Sequence, residues 1–265
     1  MSLLETHSLT CAFDDLIAVD HVTFNVEKTE VFGLVGPNGA GKSTMIKVLT
    51  TLRRPTSGTA IICGHDITQN PAAVRSMIGY VPQMVSADGD LTARENLMLY
   101  SKLVDVPSGE RKSRTLEALE FMNLADVADK RVRQFSGGMI RRLEIAQSML
   151  HRPAMLFLDE PTVGLDPVAR ASVWEHIMQL RDTYQTTILL TTHMMEEVEN
   201  LCTKIGIMNH GKMIAIGTAS DLKTASGNPD ATLDEVFIKF AGAEQATPGG
   251  FEQAARSRRT ARRLG

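Results

Sequence analysis

The chain has little that would staple it together or carry it through a membrane. Its 265 residues include three cysteines, Cys11, Cys63 and Cys202, odd in number and widely scattered. That spacing excludes a disulfide framework and a zinc cluster, and the simple expectation is a reducing cytosol. Apolar runs stay short: Ala154-Met155-Leu156-Phe157-Leu158 is among the longest, far below the ~20 residues a spanning helix needs. The first six residues lack a basic segment followed by an apolar core, so no secretory signal is expected. Neither sign of charge dominates. Lys plus Arg at 28 against Asp plus Glu at 31 leaves −3, which gives no reason to expect a nucleic-acid partner. No internal repeat is present. Hydrophobic content of 43% with 22% charged residues suits a globular chain that buries a sizeable core, as one large α/β domain or two small ones.

What is present is glycine in a patterned place. Gly36-Pro37-Asn38-Gly39-Ala40-Gly41-Lys42-Ser43-Thr44 fits G-x-x-x-x-G-K-[ST]. An apolar run of strand type, Val31-Phe32-Gly33-Leu34-Val35, precedes it, and Met45, Ile46, Val48, Leu49 and Leu52 follow at helical spacing. Glycines let the loop fold tightly enough for backbone N–H groups to face phosphate oxygens, and the helix adds the positive end of its dipole. Lys42 is then expected to reach the β- and γ-phosphates, with the Ser43 hydroxyl on Mg²⁺. A plain glycine turn into a helix is the alternative, and the strand–loop–helix context speaks against it.

Elsewhere the period of the apolar residues switches along the chain. His21-Val22-Thr23-Phe24-Asn25-Val26 alternates as a half-buried strand would. Short strands are expected around residues 60–63 and 78–81, after a break at Arg54-Pro55-Thr56-Ser57-Gly58. Between Gln83 and Phe135 the pattern is helical. Thr92-Ala93-Arg94-Glu95 is a capping box, and Leu116, Leu119 and Met122 mark a further helix. After Gly137, strands expected at 155–158 and 187–190 alternate with helices, one of them opened by Asp166-Pro167 as N-cap and N1 proline. Residues 204–208 and 213–216, joined through Asn209-His210-Gly211, read as a hairpin. A second capping box, Thr232-Leu233-Asp234-Glu235, opens a closing helix. The whole predicts an α/β fold of P-loop NTPase type: a parallel core sheet flanked by helices, an N-terminal antiparallel β region and an inserted α-helical subdomain at about 84–150. One ATPase domain is expected over 1–242. The Arg-rich tail, 243–265, reads as a solvated, disordered terminus or, alternatively, as a contact for anionic lipid head groups.

A second chemical signal is Met155-Leu156-Phe157-Leu158-Asp159-Glu160, an apolar strand ending in two acids. Such a pair stands at the carboxyl edge of a parallel sheet, where these folds bind ligands. Asp159 is the expected Mg²⁺ partner and Glu160 the candidate general base for an attacking water.

Phe135-Ser136-Gly137-Gly138-Met139, about twenty residues ahead of those acids, resembles the signature sequence of ATP-binding-cassette (ABC) ATPases. The rest of the chain is similar in order over about residues 2–240. That resemblance implies Phe13 stacked on adenine, with Val19 also at the nucleotide. It implies Gln83 in a Q-loop beside the metal, Gly164-Leu165-Asp166 as a D-loop that places Asp166 near nucleotide, and His193 as the switch histidine. Phe135 and Met139 depart from the family's usual leucine and glutamine, while the hydroxyl of Ser136 and the flexible Gly137 and Gly138 are kept. The resemblance further implies two cassettes facing head to tail, with ATP between the P-loop of one and Ser136, Gly137 and Gly138 of the other. A homodimer is the expected default, because this chain has P-loop, signature and base. The partner to drive is a separate integral membrane permease touching the Gln83 loop and the helical subdomain, which puts the chain at the cytoplasmic face of the cell membrane. Phe135-Ser136-Gly137-Gly138-Met139-Ile140-Arg141-Arg142-Leu143-Glu144 and Leu233-Asp234-Glu235-Val236-Phe237 look like the daunorubicin-resistance type of drug and lipid exporter. An importer ATPase subunit or a soluble, non-transport ABC ATPase remain the alternatives, and a P-loop kinase or GTPase is argued against by the signature and His193.

Overall fold

The computed structural model describes residues 2–242; the Arg-rich tail expected at 243–265 lies outside the described residues. In chain order the elements are β1 (Ser2–Phe13), β2 (Leu16–Val22), β3 (Asn25–Glu27), β4 (Val31–Val35), α1 (Lys42–Leu49), β5 (Ser57–Ile62), β6 (His65–Asp66), α2 (Pro71–Met77) and β7 (Ile78–Val81). Then come α3 (Ala93–Leu103), α4 (Arg111–Phe121), α5 (Gly137–Met149), β8 (Met155–Asp159), α6 (Pro167–Tyr184), β9 (Thr187–Thr192), α7 (Met195–Leu201), β10 (Lys204–Asn209), β11 (Lys212–Gly217), α8 (Ala219–Ala225) and α9 (Leu233–Gly242).

Among the described residues, a six-stranded sheet has the order β11-β10-β4-β9-β8-β7. All its neighbours run parallel except β10 and β11, which form the expected hairpin. Its turn is His210-Gly211, both residues at positive φ, which matches the twist of the strands it joins. The strands β4, β8 and β9 are buried throughout, as strands covered on both faces must be. Their side chains nevertheless sort by alternation. Leu156, Leu158, Ile188 and Leu190 pack with the helices, and Met155, Phe157, Phe32, Leu34 and Leu189 pack with α1 and the N-terminal β region.

That N-terminal region is the second sheet, antiparallel, with order β2-β1-β5-β6 and β3 paired to β1. One expectation changes here. The alternation over residues 21–26 is real in burial, with Val22, Phe24 and Val26 inward, but it is not one strand. His21 takes φ 48, and β2 and β3 pair with different stretches of β1. The chain turns a corner here while keeping its inward face.

Between β7 and β8 lie α3, α4 and α5, whose inward residues Leu97, Leu119, Leu143 and Ala146, with Met122 just past α4, form a core continuous with the sheet's helical face. The capping box at Thr92 is made in full: the Thr92 hydroxyl accepts from Glu95 N–H, and the Glu95 carboxylate accepts from Thr92 N–H. Thr232 and Glu235 do the same at α9. The short helices α2 and α8 were not expected from the sequence. The second opens on another box, Thr218 with Asp221, where aspartate stands in for the usual glutamate.

Phe157 is fully buried where β8 meets the β region. Phe157→Ala is expected to cost roughly 3–5 kcal/mol of unfolding free energy, read as a lower midpoint in urea with an unchanged slope.

Candidate functional site

The parallel register decides which loops meet. β4 lies beside β9, β9 beside β8 and β8 beside β7, with Val35 level with Thr192, Asp159 with Thr191, and Val81 with Leu158. The chain leaves these strand ends through Gly36, His193, Glu160 and Gln83. Four sequence-distant motifs therefore share one sheet edge, the edge at which open parallel sheets bind ligands.

Glu160 is the hub. Gln83 Nε2 donates to its Oε2 at 3.0 Å, His193 Nδ1 stands 3.3 Å from its Oε1, and Lys42 Nζ is 3.9 Å from the same oxygen. Its backbone is held in the left-handed region, φ 48, a conformation that costs a non-glycine residue of order 1 kcal/mol and recurs at functional sites. Thr191 secures it: the Glu160 N–H donates to both Thr191 O (3.1 Å) and Thr191 Oγ1 (3.0 Å).

Asp159 is a step further in. Its Oδ1 accepts from Thr191 Oγ1 at 2.6 Å and from Ser43 Oγ at 3.1 Å. A hydroxyl and a carboxylate converging this closely are hard oxygen donors of the kind Mg²⁺ prefers. Among the described residues no group of three or more His, Cys, Asp or Glu side chains could hold a metal. A cation here would complete its shell with phosphate oxygens and water, which is how Mg²⁺ usually binds beside nucleotides. The third expected metal neighbour, Gln83, donates its amide N–H to Glu160.

The loop from Gly36 to Gly41 is fixed by close approach. A Cβ on Gly36 would stand 2.3 Å from Met208 O, and one on Gly41, φ 101, would stand 2.1 Å from Ala18 O. Gly39, φ 86, faces open space. Pro37 O accepts from Ala40 N–H, Asn38 is exposed, and Ser43 and Thr44 are half-buried at the start of α1. Lys42 is almost fully buried and donates to Gly36 O (2.7 Å) and Pro37 O (3.1 Å). Burial pushes its ammonium pKa down, and the carboxylates of Glu160 and Asp159 push back. An anion presented to this cradle would meet a lysine that has already lost most of its water.

Phe13 is exposed on one side and covered on the other by Arg53, whose guanidinium lies 3.6 Å from the ring centroid. Val19 lies inward of Phe13. It has no exposed surface and packs in the core with Cys11 and Val22.

Ser136, Gly137, Gly138 and Asp166 make a separate group. Among the described residues no hydrogen bond or ion pair links them to the P-loop. Ser136 caps α5 by accepting from Met139 N–H at 3.3 Å, and Asp166 caps α6 by accepting from Ala169 N–H at 2.9 Å; both are exposed. Gly137 and Gly138 have a task inside the chain as well, since Cβ atoms there would stand 3.0 Å from Leu165 and 2.9 Å from Ala169.

A family model for the ABC transporter matches residues 19–163. The chain belongs to the ABC transporter family. It is 42% identical over 225 residues to the linearmycin resistance ATP-binding protein of Bacillus subtilis (strain 168), covering 85% of this chain and 72% of that one. It is equally identical, over the same length, to the daunorubicin/doxorubicin resistance ATP-binding protein of Streptomyces peucetius, covering 85% and 68%. In structure it resembles the ATP-binding subunit of an ABC transporter with a TM-score of 0.80 at 30% identity, over 90% of this chain and 99% of the other. The protein is thus the ATP-binding, ATP-hydrolysing subunit of an ABC transporter. Cassettes of this family work as dimers with a membrane permease. Among the described residues no helix is long and apolar enough to cross a membrane.

Sequence reasoning missed Thr191. Its signal was present, a threonine pair leading directly into His193, but its importance appears only once the register places it opposite Asp159. Thr191→Val is expected to lower the unfolding free energy by about 1–3 kcal/mol, as loss of a buried hydrogen-bond partner does, and Thr191→Ser to restore most of it, measured by denaturant unfolding.

Proposed function

We propose that two copies of this cassette close head to tail on two ATP molecules, and that closure and hydrolysis drive export of a drug, lipid or other small molecule through a separate permease. The observation that carries the reading is the split of the site: phosphate cradle and base share one sheet edge, whereas Ser136 and Asp166 are exposed and bonded to neither. One lysine and one amide loop neutralise only part of a triphosphate. A second helix N-terminus, α5 of the other copy, offers further N–H groups to the γ-phosphate.

In this reading Phe13 stacks on adenine with its outer face, and Lys42 with the 36–41 backbone grips the β- and γ-phosphates. Ser43 and Asp159 hold Mg²⁺, which neutralises phosphate charge when bound. Glu160 takes a proton from the attacking water as its oxygen bonds to the γ-phosphorus and the bond to the β-phosphate oxygen breaks, leaving ADP and phosphate. His193 and Gln83 fix the Glu160 carboxylate from two sides and so orient that water.

The export direction follows the two drug-resistance relatives, which the chain matches over most of its length. The permease has a seat in keeping with it. A cleft of about 430 Å³ opens between α2, β7 and α3, with Leu52, Tyr80, Tyr100 and Leu103 on its walls. Leu52 and Leu103 are 62% and 70% exposed, apolar surface that an inserted helix of a membrane partner would cover. In this reading the protein works at the cytoplasmic face of a membrane.

Glu160→Gln is expected to slow phosphate release at least ~100-fold, as loss of a general base does, and to accumulate an ATP-bound dimer on size exclusion. Normal turnover by that variant removes Glu160 from the role of base, and a monomer with ATP bound removes the second copy.

A further inference from the structure

The segment that carries Gln83 is gripped by the helices rather than by the sheet. Arg141, on α5, is buried and donates from Nη1 to Pro82 O (2.8 Å) and from Nη2 to Gln83 O (3.0 Å). One turn on, Glu144 is still more deeply buried; its Oε1 accepts from Ser86 N–H and from Ser86 Oγ (3.0 Å). The two side chains face each other, Arg141 Nη1 at 3.1 Å from Glu144 Oε2. Farther along the loop Asn96, on α3, accepts from Asp88 N–H and donates to Asp88 O, both at 2.9 Å. The backbone from Pro82 to Asp88 is therefore bonded to the helical subdomain at both ends and in the middle. The Gln83 side chain reaches back to the core, to Glu160.

We propose that Arg141 and Glu144 are positioning residues that make the Gln83 loop move with α5 as one body. That helix starts, about one turn before Arg141, at Ser136-Gly137-Gly138. Seating it on a nucleotide held by a second copy then shifts the Gln83 amide against Glu160 in its own copy. The clamp thereby passes the state of one ATP site to the base of the other. The inference rests on the head-to-tail dimer proposed above. Its physical basis is geometric. Arginine's planar fork takes two adjacent carbonyls at once, which a point charge such as lysine does not. A buried acid that is both ion-paired and hydrogen-bonded holds its loop without slack.

The test uses the full chain with ATP and Mg²⁺. Arg141→Met combined with Glu144→Met removes the grip without leaving a lone buried charge, a replacement that cores tolerate. Its ATP affinity is expected to stay within about twofold while kcat falls at least ~10-fold, the pattern of a group that acts on the transition state and not on binding. The Hill coefficient for ATP is expected to fall toward one. Adding Gln83→Ala is expected to lower kcat no further than Gln83→Ala does alone, because residues acting as a unit are non-additive. Unchanged kcat in the double-methionine chain, or losses that multiply when Gln83→Ala is added, overturns the proposal. If the double-methionine chain does not fold, Ser86→Ala with Glu144→Gln loosens the same loop more gently. The same cycle is then run against Gln83→Ala: a loss that does not multiply supports the clamp, and an unchanged kcat or a multiplying loss overturns it. The dimer is tested separately, by ATP-driven dimerisation of Glu160→Gln on size exclusion. Non-additivity alongside a monomeric Glu160→Gln supports the clamp and overturns its link to a second copy.

Discussion

Two almost fully buried charges, Lys42 and Glu160, face each other at 3.9 Å, and much of the molecule exists to make that tolerable. A buried ion pair returns its desolvation cost only when its remaining hydrogen-bonding positions are filled. Here they are filled by groups from every neighbouring strand end. Lys42 is completed by the carbonyls of Gly36 and Pro37, and Glu160 by Gln83, His193 and the backbone bonds to Thr191. Apart from the P-loop and the Thr191–His193 stretch, these residues lie far apart in sequence. Only a parallel sheet with β4, β9, β8 and β7 side by side can deliver them to one place. The fold is the scaffold of one electrostatic cluster.

The same demand explains why the N-terminal β region and the C-terminal hairpin press so closely on the P-loop. Gly36 lies against the backbone of Met208 in β10, and Gly41 against Ala18 in β2. Gly211 N–H donates to Ala40 O, and Asp20 N–H donates to Gly211 O. The loop is thus braced from two sheets at once. A loop braced in this way has little reorganisation left to oppose anion binding. Phe13 extends the same logic, since Arg53 covers one ring face and donates to Ala12 O, leaving the other face available.

Much of this was legible in the sequence because it is local. The P-loop, the acidic strand end, the Asp166-Pro167 helix start and the capping boxes at Thr92 and Thr232 are each written within a few consecutive residues, and each describes a geometry closed by its own backbone. What escaped is what tertiary packing decides. Residues 21–26 alternate as one strand, yet the register of β1 splits them between two. Val19 looks no different in sequence from an exposed strand residue, but it is wholly buried. Thr191, Arg141 and Glu144 matter only because of what lies opposite them in space. A threonine in a strand or an arginine and a glutamate one turn apart on a helix are too common to announce that they hold Asp159 or the Gln83 loop.

The division of the site follows from what α5 and α6 do to each other. Gly138 has no side chain because Ala169 occupies that space, and Gly137 is pressed by Leu165 in the same way. The glycines that let a phosphate approach the start of α5 therefore also lock that start to the start of α6, where Asp166 caps. Ser136 and Asp166 are exposed at two helix starts packed closely against each other. Since α5 also holds the Gln83 loop through Arg141 and Glu144, a bonded path runs from the helix that Ser136 caps to Glu160. A cassette built this way has no use for a fast base while alone. In the proposed head-to-tail dimer, hydrolysis would then be a property of the pair.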